Sequence, residues 1–234
     1  SRMNKILKGF SERKDGSMYV PLTHALTENI THRKAFFEKS GLTGKQIAVA
    51  DLVHGTRVVS VDRRSPYVVP ETDGLVTKES DTILALTGAD CFPLYFEEKT
   101  AGIIGLAHGG WRGIVEGIIP ETLSALIKLG GNPNDTVLTI GPGICTEHFE
   151  IKTDILEQFA AYPEQIFQTD RIRVDLRGII KKQAEAAGIA PHKIVDSGEC
   201  TYCLPEKYFS YRRDKPKMLE TQLAYIVQFS HRKF

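Results

Sequence analysis

Along the chain the spacing of apolar positions switches from helical to strand-like and back. Over residues 26–40, Ile30, Ala35, Phe36 and Phe37 form an apolar stripe among charged neighbours and Gly41 supplies a stop, which predicts a helix. Short apolar runs rich in β-branched residues follow at 46–53, 57–61, 82–87, 93–97 and 101–107, separated by Gly, Pro or charged turns. They predict strands. Residues 114–129 return to helical spacing and end at Gly130-Gly131, and 136–140 is strand-like again. Further helices are predicted at 152–162, 176–187 and 218–230, with strands at 193–195 and 208–211 between them. The polar, proline-bracketed stretch 62–73 predicts a long loop, a kind of segment that is often functional. No repeat, low-complexity tract or Pro/Ser-rich linker divides the chain, so residues 1–234 are expected to form one domain.

Composition narrows the function more than the fold. With 30 Lys+Arg against 29 Asp+Glu the formal charge is +1, which offers no general electrostatic attraction for nucleic acid or an anionic membrane. No apolar run approaches the roughly 20 residues that span a bilayer, and Ser1-Arg2-Met3-Asn4-Lys5 lacks the apolar stretch of a signal peptide. A cytoplasmic protein is expected, as a monomer or small homo-oligomer, with Ser1-Arg2 read as residues appended before Met3. Cys91, Cys145, Cys200 and Cys203 are too few and too unevenly placed for a disulfide framework, so reduced thiols are expected.

Three segments set a metal-competent side chain beside glycine or at the edge of an apolar run: Val53-His54-Gly55, Ala89-Asp90-Cys91-Phe92-Pro93 and Ala107-His108-Gly109-Gly110-Trp111-Arg112-Gly113. Imidazole and thiolate together suit Zn²⁺, and a catalytic zinc site commonly has three protein ligands and one open position. Spacing alone leaves two readings open, since no compact zinc-finger pattern is present and each residue has a packing or hydrogen-bonding alternative.

Six ordered blocks then carry a resemblance. His54-Gly55-Thr56-Arg57-Val58-Val59, Asp73-Gly74-Leu75-Val76-Thr77, Thr87-Gly88-Ala89-Asp90-Cys91, His108-Gly109-Gly110-Trp111-Arg112-Gly113, Gly141-Pro142-Gly143-Ile144, and Cys200-Thr201-Tyr202-Cys203 through Phe209-Ser210-Tyr211-Arg212-Arg213-Asp214 resemble the YfiH-like family, formerly called polyphenol oxidase or laccase-domain proteins. The resemblance runs from Gly9-Phe10-Ser11 almost to the C-terminus. It implies an α+β domain, a mixed sheet or pair of sheets covered by helices, with Zn²⁺ on His54, Cys91 and His108. It also implies a purine nucleoside phosphorylase that can deaminate adenosine, with nucleoside and phosphate as its small-molecule partners. Copper is the less suitable ion, because a multicopper oxidase needs many imidazoles and this chain has seven histidines in all.

Within that reading, Arg13, Arg112, Arg212 and Arg213 are candidate anchors for phosphate or substrate, since guanidinium forks bind phosphate oxygens bidentately. Asp90 and Glu150 are candidates for moving protons, and Asp90 could instead orient a ligand histidine. Trp111 could stack on a base or simply pack. Deamination would draw on the power of zinc to acidify water. One CxxC without a second pair does not define a site, so Cys200-Thr201-Tyr202-Cys203 reads as a buried structural turn, with Cys145 and His148 as secondary candidates. His24, His32, His192 and His231 are expected to be solvated. Leu52 before Val53-His54-Gly55, Glu12 after Ser11, and the stretches Lys14-Asp15-Gly16-Ser17 and Thr23-His24-Ala25 depart from the family pattern and put substrate identity in doubt. Two other functions compete: a cysteine hydrolase with Cys91 as nucleophile and His108 as base, and a non-catalytic zinc protein that binds a metabolite.

Overall fold

A computed structural model describes residues 5–19 and 27–230. Ser1-Arg2, Leu26, the Thr23-His24-Ala25 departure, His24 and His231 lie outside them.

Two sheets stack face to face. One has five strands in the order Lys5–Phe10, Gln222–Phe229, Thr82–Gly88, Gln46–Ala50, Val68–Val69. The other has six, in the order Ile194–Asp196, Thr136–Ile140, Phe92–Glu98, Ile103–Gly109, Gly74–Thr77, Val58–Ser60. Each mixes parallel and antiparallel pairs. Because successive strand residues point to opposite faces, each sheet supplies two cores. Leu84 and Leu86 meet Leu75, Ile104 and Leu106 between the sheets. Ile83 and Ala85 point the other way, onto Phe36 and Phe37 of helix Thr27–Lys39. The far face of the six-stranded sheet buries Val76, Leu94 and Phe96 against Ile119 and Leu123 of helix Ile118–Lys128 and Ile179 and Ile180 of helix Leu176–Ala186. The result is the α+β domain of helix-covered mixed sheets that the resemblance implied.

Most predicted elements are present within one to three residues, and the departures have physical causes. Residues 218–230 are not a helix: Gln222–Phe229 is a strand paired on both sides. Its run Gln-Leu-Ala-Tyr-Ile-Val-Gln-Phe is buried on both faces, which removes the alternation that marks a half-exposed strand. Residues 208–211 form no strand, and Tyr211–Asp214 makes one helical turn capped by the Ser210 hydroxyl, which accepts from the Arg213 N–H. The helix expected over 152–162 is a 3₁₀ segment, Thr153–Phe159. That over 114–129 is two helices, Trp111–Glu116 and Ile118–Lys128, broken where Gly117 turns left-handed at φ 99°. Lys5–Phe10, Gly74–Thr77 and a small sheet of Glu150–Ile151, Ile172–Val174 and Ile166–Gln168 were not predicted.

Candidate functional site

The stacked sheets bring three distant segments to one end. Cys91 closes the turn that crosses from strand Thr82–Gly88 of one sheet to Phe92–Glu98 of the other, with Asp90 held left-handed at φ 85°. His108 is the penultimate residue of Ile103–Gly109, paired in register with Pro93, so its side chain emerges beside that turn. His54 lies in the loop after Gln46–Ala50, itself left-handed at φ 61°. The donor atoms of His54, Cys91 and His108 all lie within 4.8 Å of one another. The two imidazoles stand nearly perpendicular, 82° apart with centroids separated by 4.9 Å.

Asp73 organises this group. It is fully buried, and its Oδ1 lies 2.9 Å from His108 Nδ1 while accepting the His54 N–H at 3.0 Å. Oδ2 accepts the N–H groups of Gly55 at 2.8 Å and Val53 at 3.2 Å. Burial opposes the charge, but His108 and the surrounding amides outweigh it and hold the Asp73 carboxyl below its ordinary pKa. With Nδ1 engaged by Asp73, His108 has Nε2 free toward the cluster, the arrangement of a carboxylate supporting a metal-ligating histidine. Glycine at 110 suits the same geometry: a Cβ there would crowd the cluster, standing 3.1 Å from His108 Cε1, 3.3 Å from His54 Cδ2 and 3.4 Å from Cys91 Sγ.

The electrostatics agree with a thiolate ligand. Burial pushes the Cys91 thiol up, yet His108 and then His54 overcome it and bring it down to about 6. Burial likewise works against a charged His108, but the Cys91 thiolate and Asp73 lift it to about 9. One thiolate, two imidazoles and a supporting carboxylate fit a single Zn²⁺ with an open position. They do not supply the imidazoles that several coppers would need.

The cluster forms part of the wall of a cavity of about 620 Å³. Of the predicted site residues outside the cluster, Asp90, Trp111, Arg112 and Arg212 line it, whereas Arg13, Glu150 and Arg213 do not. Both oxygens of Asp90 are occupied, Oδ1 accepting from Thr201 Oγ1 at 2.7 Å and Oδ2 from the Arg212 N–H at 2.7 Å. Orienting a ligand histidine thus falls to Asp73, a residue present in a quoted block but not singled out there. Glu150 turns outward to Arg171, 3.4 Å away, and only its carbonyl faces Arg212 Nη1, at 2.9 Å.

The arginines differ in what occupies them. Arg213 donates to the carbonyls of Thr201, Tyr202 and Tyr208 and pairs with Asp214. Arg13 pairs with the same Asp214 at 2.7 Å. Arg112 has neither a hydrogen bond nor an ion pair among the described residues, and its guanidinium lies 4.4 Å from the Trp111 ring centroid. Trp111 also packs on Phe159, centroids 5.8 Å apart, so the protein itself supplies a packing role for it. His32 is half-buried and hydrogen-bonded to the Ser17 carbonyl at 3.0 Å, and His192 is exposed as expected. Cys145 and His148 do not join the cavity cluster; they gather with Cys200 and Cys203 as a separate group.

Comparison with known proteins follows the same line. The model of the family described as "Multi-copper polyphenol oxidoreductase laccase" matches residues 24–227. A purine nucleoside phosphorylase of Deinococcus radiodurans is 34% identical over 177 residues, covering 74% of this chain and 67% of that protein. Purine nucleoside phosphorylase YfiH of Escherichia coli is 29% identical over 189 residues, covering 79% and 75%. The crystal structure of YlmD from Geobacillus stearothermophilus matches with a TM-score of 0.88 at 26% identity, over 96% of this chain and 92% of that one. With the ordered blocks, the stacked sheets and a family match over most of its length, the chain belongs to the laccase-domain family that includes YfiH and YlmD.

Proposed function

We propose that the protein is a zinc-dependent purine nucleoside phosphorylase, converting a purine nucleoside and phosphate into free base and ribose 1-phosphate. The observation that best supports this is a single cavity that presents both the His54, Cys91 and His108 donor set and the guanidinium of Arg112, which has no hydrogen bond or ion pair among the described residues. Relatives bearing that activity in their names add to the case. His54, Cys91 and His108 would hold the ion, which when bound supplies Lewis-acid polarisation.

In phosphorolysis a phosphate oxygen bonds to the anomeric carbon as the carbon–nitrogen bond to the base breaks, and the electron pair leaves with the purine. Positive charge grows on the sugar and negative charge on the base. Arg112 offers phosphate a forked donor that no acceptor among the described residues occupies. Arg212 adds a second positive charge on the opposite segment, fixed by its bond to the Glu150 carbonyl and by Asp90 on its main-chain N–H. Asp90 is therefore a positioning residue. Phe149 and Ile144 give the cavity apolar surface suited to a flat base.

The test is zinc-loaded protein incubated with inosine, adenosine or methylthioadenosine, with and without phosphate, beside His108→Ala. Free base and the matching sugar 1-phosphate (ribose 1-phosphate, or 5-methylthioribose 1-phosphate from methylthioadenosine) formed only with phosphate is the expected result. Ammonia from adenosine without phosphate would indicate deamination, and no turnover across the panel would sink the nucleoside reading.

One observation favours a second reading. Cys91, His108 and Asp73 stand in the order nucleophile, base and orienting carboxylate. Rapid alkylation of Cys91 in fully metallated protein that nevertheless lacks zinc at this site would favour a cysteine hydrolase.

A further inference from the structure

The side chains gathered away from the cavity cluster come from two short motifs. Cys145-Thr146-Glu147-His148 follows the Gly-Pro turn after strand Thr136–Ile140, and Cys200-Thr201-Tyr202-Cys203 precedes the helical turn Tyr211–Asp214. Cys145 and Cys200 are 55 positions apart in the chain. An isolated parallel bridge between Gly143 and Cys200, with the Thr201 N–H donating to the Gly143 carbonyl at 3.2 Å, lays the two motifs side by side.

Their donor atoms have the spacing of ligands around one ion. Cys145 Sγ is 3.2 Å from His148 Nδ1, Cys203 Sγ is 3.5 Å from the same nitrogen, and the two sulfurs are 3.8 Å apart. All four donor atoms, Cys200 Sγ included, lie within 4.8 Å of one another. A zinc–sulfur bond of about 2.3 Å sets the sulfur–sulfur edge of a tetrahedron at about 3.8 Å. A disulfide would need about 2.0 Å. The separation of Cys145 and Cys203 therefore matches two ligands of one ion and not a bond.

The surroundings are those of a built site. The His148 ring stacks on Tyr202, centroids 3.8 Å apart and planes 18° from parallel, which fixes the plane of the imidazole. The Cys145 N–H donates to Cys200 Sγ at 3.2 Å, and the Cys203 N–H also faces that sulfur, as suits a thiolate. Three thiolates around a divalent cation leave one net negative charge, and Arg213 is fixed on the same turn through the carbonyls of Thr201 and Tyr202. Cys200 is buried and Cys203 exposed, which leaves the group reachable from solvent.

We propose that Cys145, His148, Cys200 and Cys203 form a second, structural Zn²⁺ site that staples the segment carrying Ile144 and Phe149 to the segment carrying Tyr211 and Arg212. Three thiolates and one imidazole are a donor set of closed structural zinc sites, with no position left for substrate. The staple also reaches the cavity through a side-chain relay. Thr201, inside the Cys200–Cys203 turn, donates to Asp90, and Asp90 accepts from the Arg212 N–H.

Zinc counted by mass spectrometry in wild type, Cys91→Ser, Cys203→Ser and the double variant tests this independently of catalysis. The expected contents are about two, one, one and zero ions per chain, given one four-ligand and one three-ligand site. Cobalt-substituted Cys91→Ser should keep an intense tetrahedral spectrum with a three-thiolate charge-transfer band, which His148→Ala weakens. A wild type with one ion lost in Cys91→Ser but kept in Cys203→Ser would overturn the proposal. So would a disulfide among these cysteines in protein purified under reducing conditions. One ion lost in Cys203→Ser and kept in Cys91→Ser would support this site while refuting zinc in the cavity. Should either variant fail to fold, the wild-type cobalt spectrum decides: charge transfer from four sulfurs supports the second site, and from one sulfur overturns it.

Discussion

Replacing Asp73 by Asn probes the cavity site without touching a proposed ligand. The carboxylate receives the main-chain N–H groups of Val53, His54 and Gly55 and faces His108 Nδ1, two donors on each oxygen. An amide of the same shape keeps one oxygen, so whichever way it sits, two of those donors meet an NH₂ group. Hydrogen bonds to a charged acceptor contribute about 1.5–3 kcal/mol each, and a buried donor left unsatisfied costs about 1–3 kcal/mol. With Asp73 fully buried and partial relaxation of the exposed His54 loop, a loss of about 4 kcal/mol is expected. For a chain of this size that lowers Tm by about 8–16 °C. Losing the partner of His108 Nδ1 should also weaken zinc at this site about 10- to 100-fold. Thermal melts of zinc-free protein and competition against a chelator of known affinity measure the two effects, with zinc at the Cys200 cluster as an internal reference expected to hold. An Asp73→Asn protein that melts within about 1 °C of wild type and keeps its zinc affinity within about twofold would refute the argument.

Arg112→Ala should raise the KM for phosphate about 10- to 100-fold, the equivalent of one lost charge-assisted contact, in steady-state kinetics. Arg13→Ala, which breaks the Asp214 pair, a carbonyl contact and the stacking on Phe209, all outside the cavity lining, should leave that KM unchanged. In the zinc-free protein the Cys91 thiolate, its pKa depressed, contributes stability that is lost as pH falls through about 6. The His108 imidazolium, its pKa raised, contributes stability that is lost as pH rises through about 9. Melts of metal-free wild type against Cys91→Ser across that range should therefore diverge most between the two values; a constant difference would refute the ion pair. Gly110→Ala places a methyl 3.1 Å from His108 Cε1 and 3.3 Å from His54 Cδ2, so zinc affinity should fall about tenfold with the far-ultraviolet circular dichroism unchanged.

What could be read from the sequence, and what could not, divides along the range of the interactions. His54, Cys91 and His108 were marked only as candidates by their place at the edges of apolar runs beside residues that turn the chain; the resemblance of the ordered blocks named them as a set, and the fold brings their donor atoms within 4.8 Å of one another. Asp73 was written in the same blocks, but its role is defined by three amides about twenty positions earlier and an imidazole 35 positions later. No local pattern records that. Strand Gln222–Phe229 was misread because burial on both faces erases the period that separates strand from helix, and only its pairing with Lys5–Phe10 and Thr82–Gly88 decides between them.

The arginines make the same point from the side of function. As residue types Arg13, Arg112, Arg212 and Arg213 are equivalent candidates for an anion, and the choice among them depends on what already occupies each guanidinium. Asp214 and a set of main-chain carbonyls claim Arg13 and Arg213. Arg212 is partly claimed, by the Glu150 carbonyl, and is held facing the cavity by it. Arg112 keeps only its aromatic contact among the described residues, and a guanidinium in a cavity without a protein acceptor is the one whose donors remain for a ligand. Availability, and not charge, is what singles it out, and availability is a property of the folded chain alone.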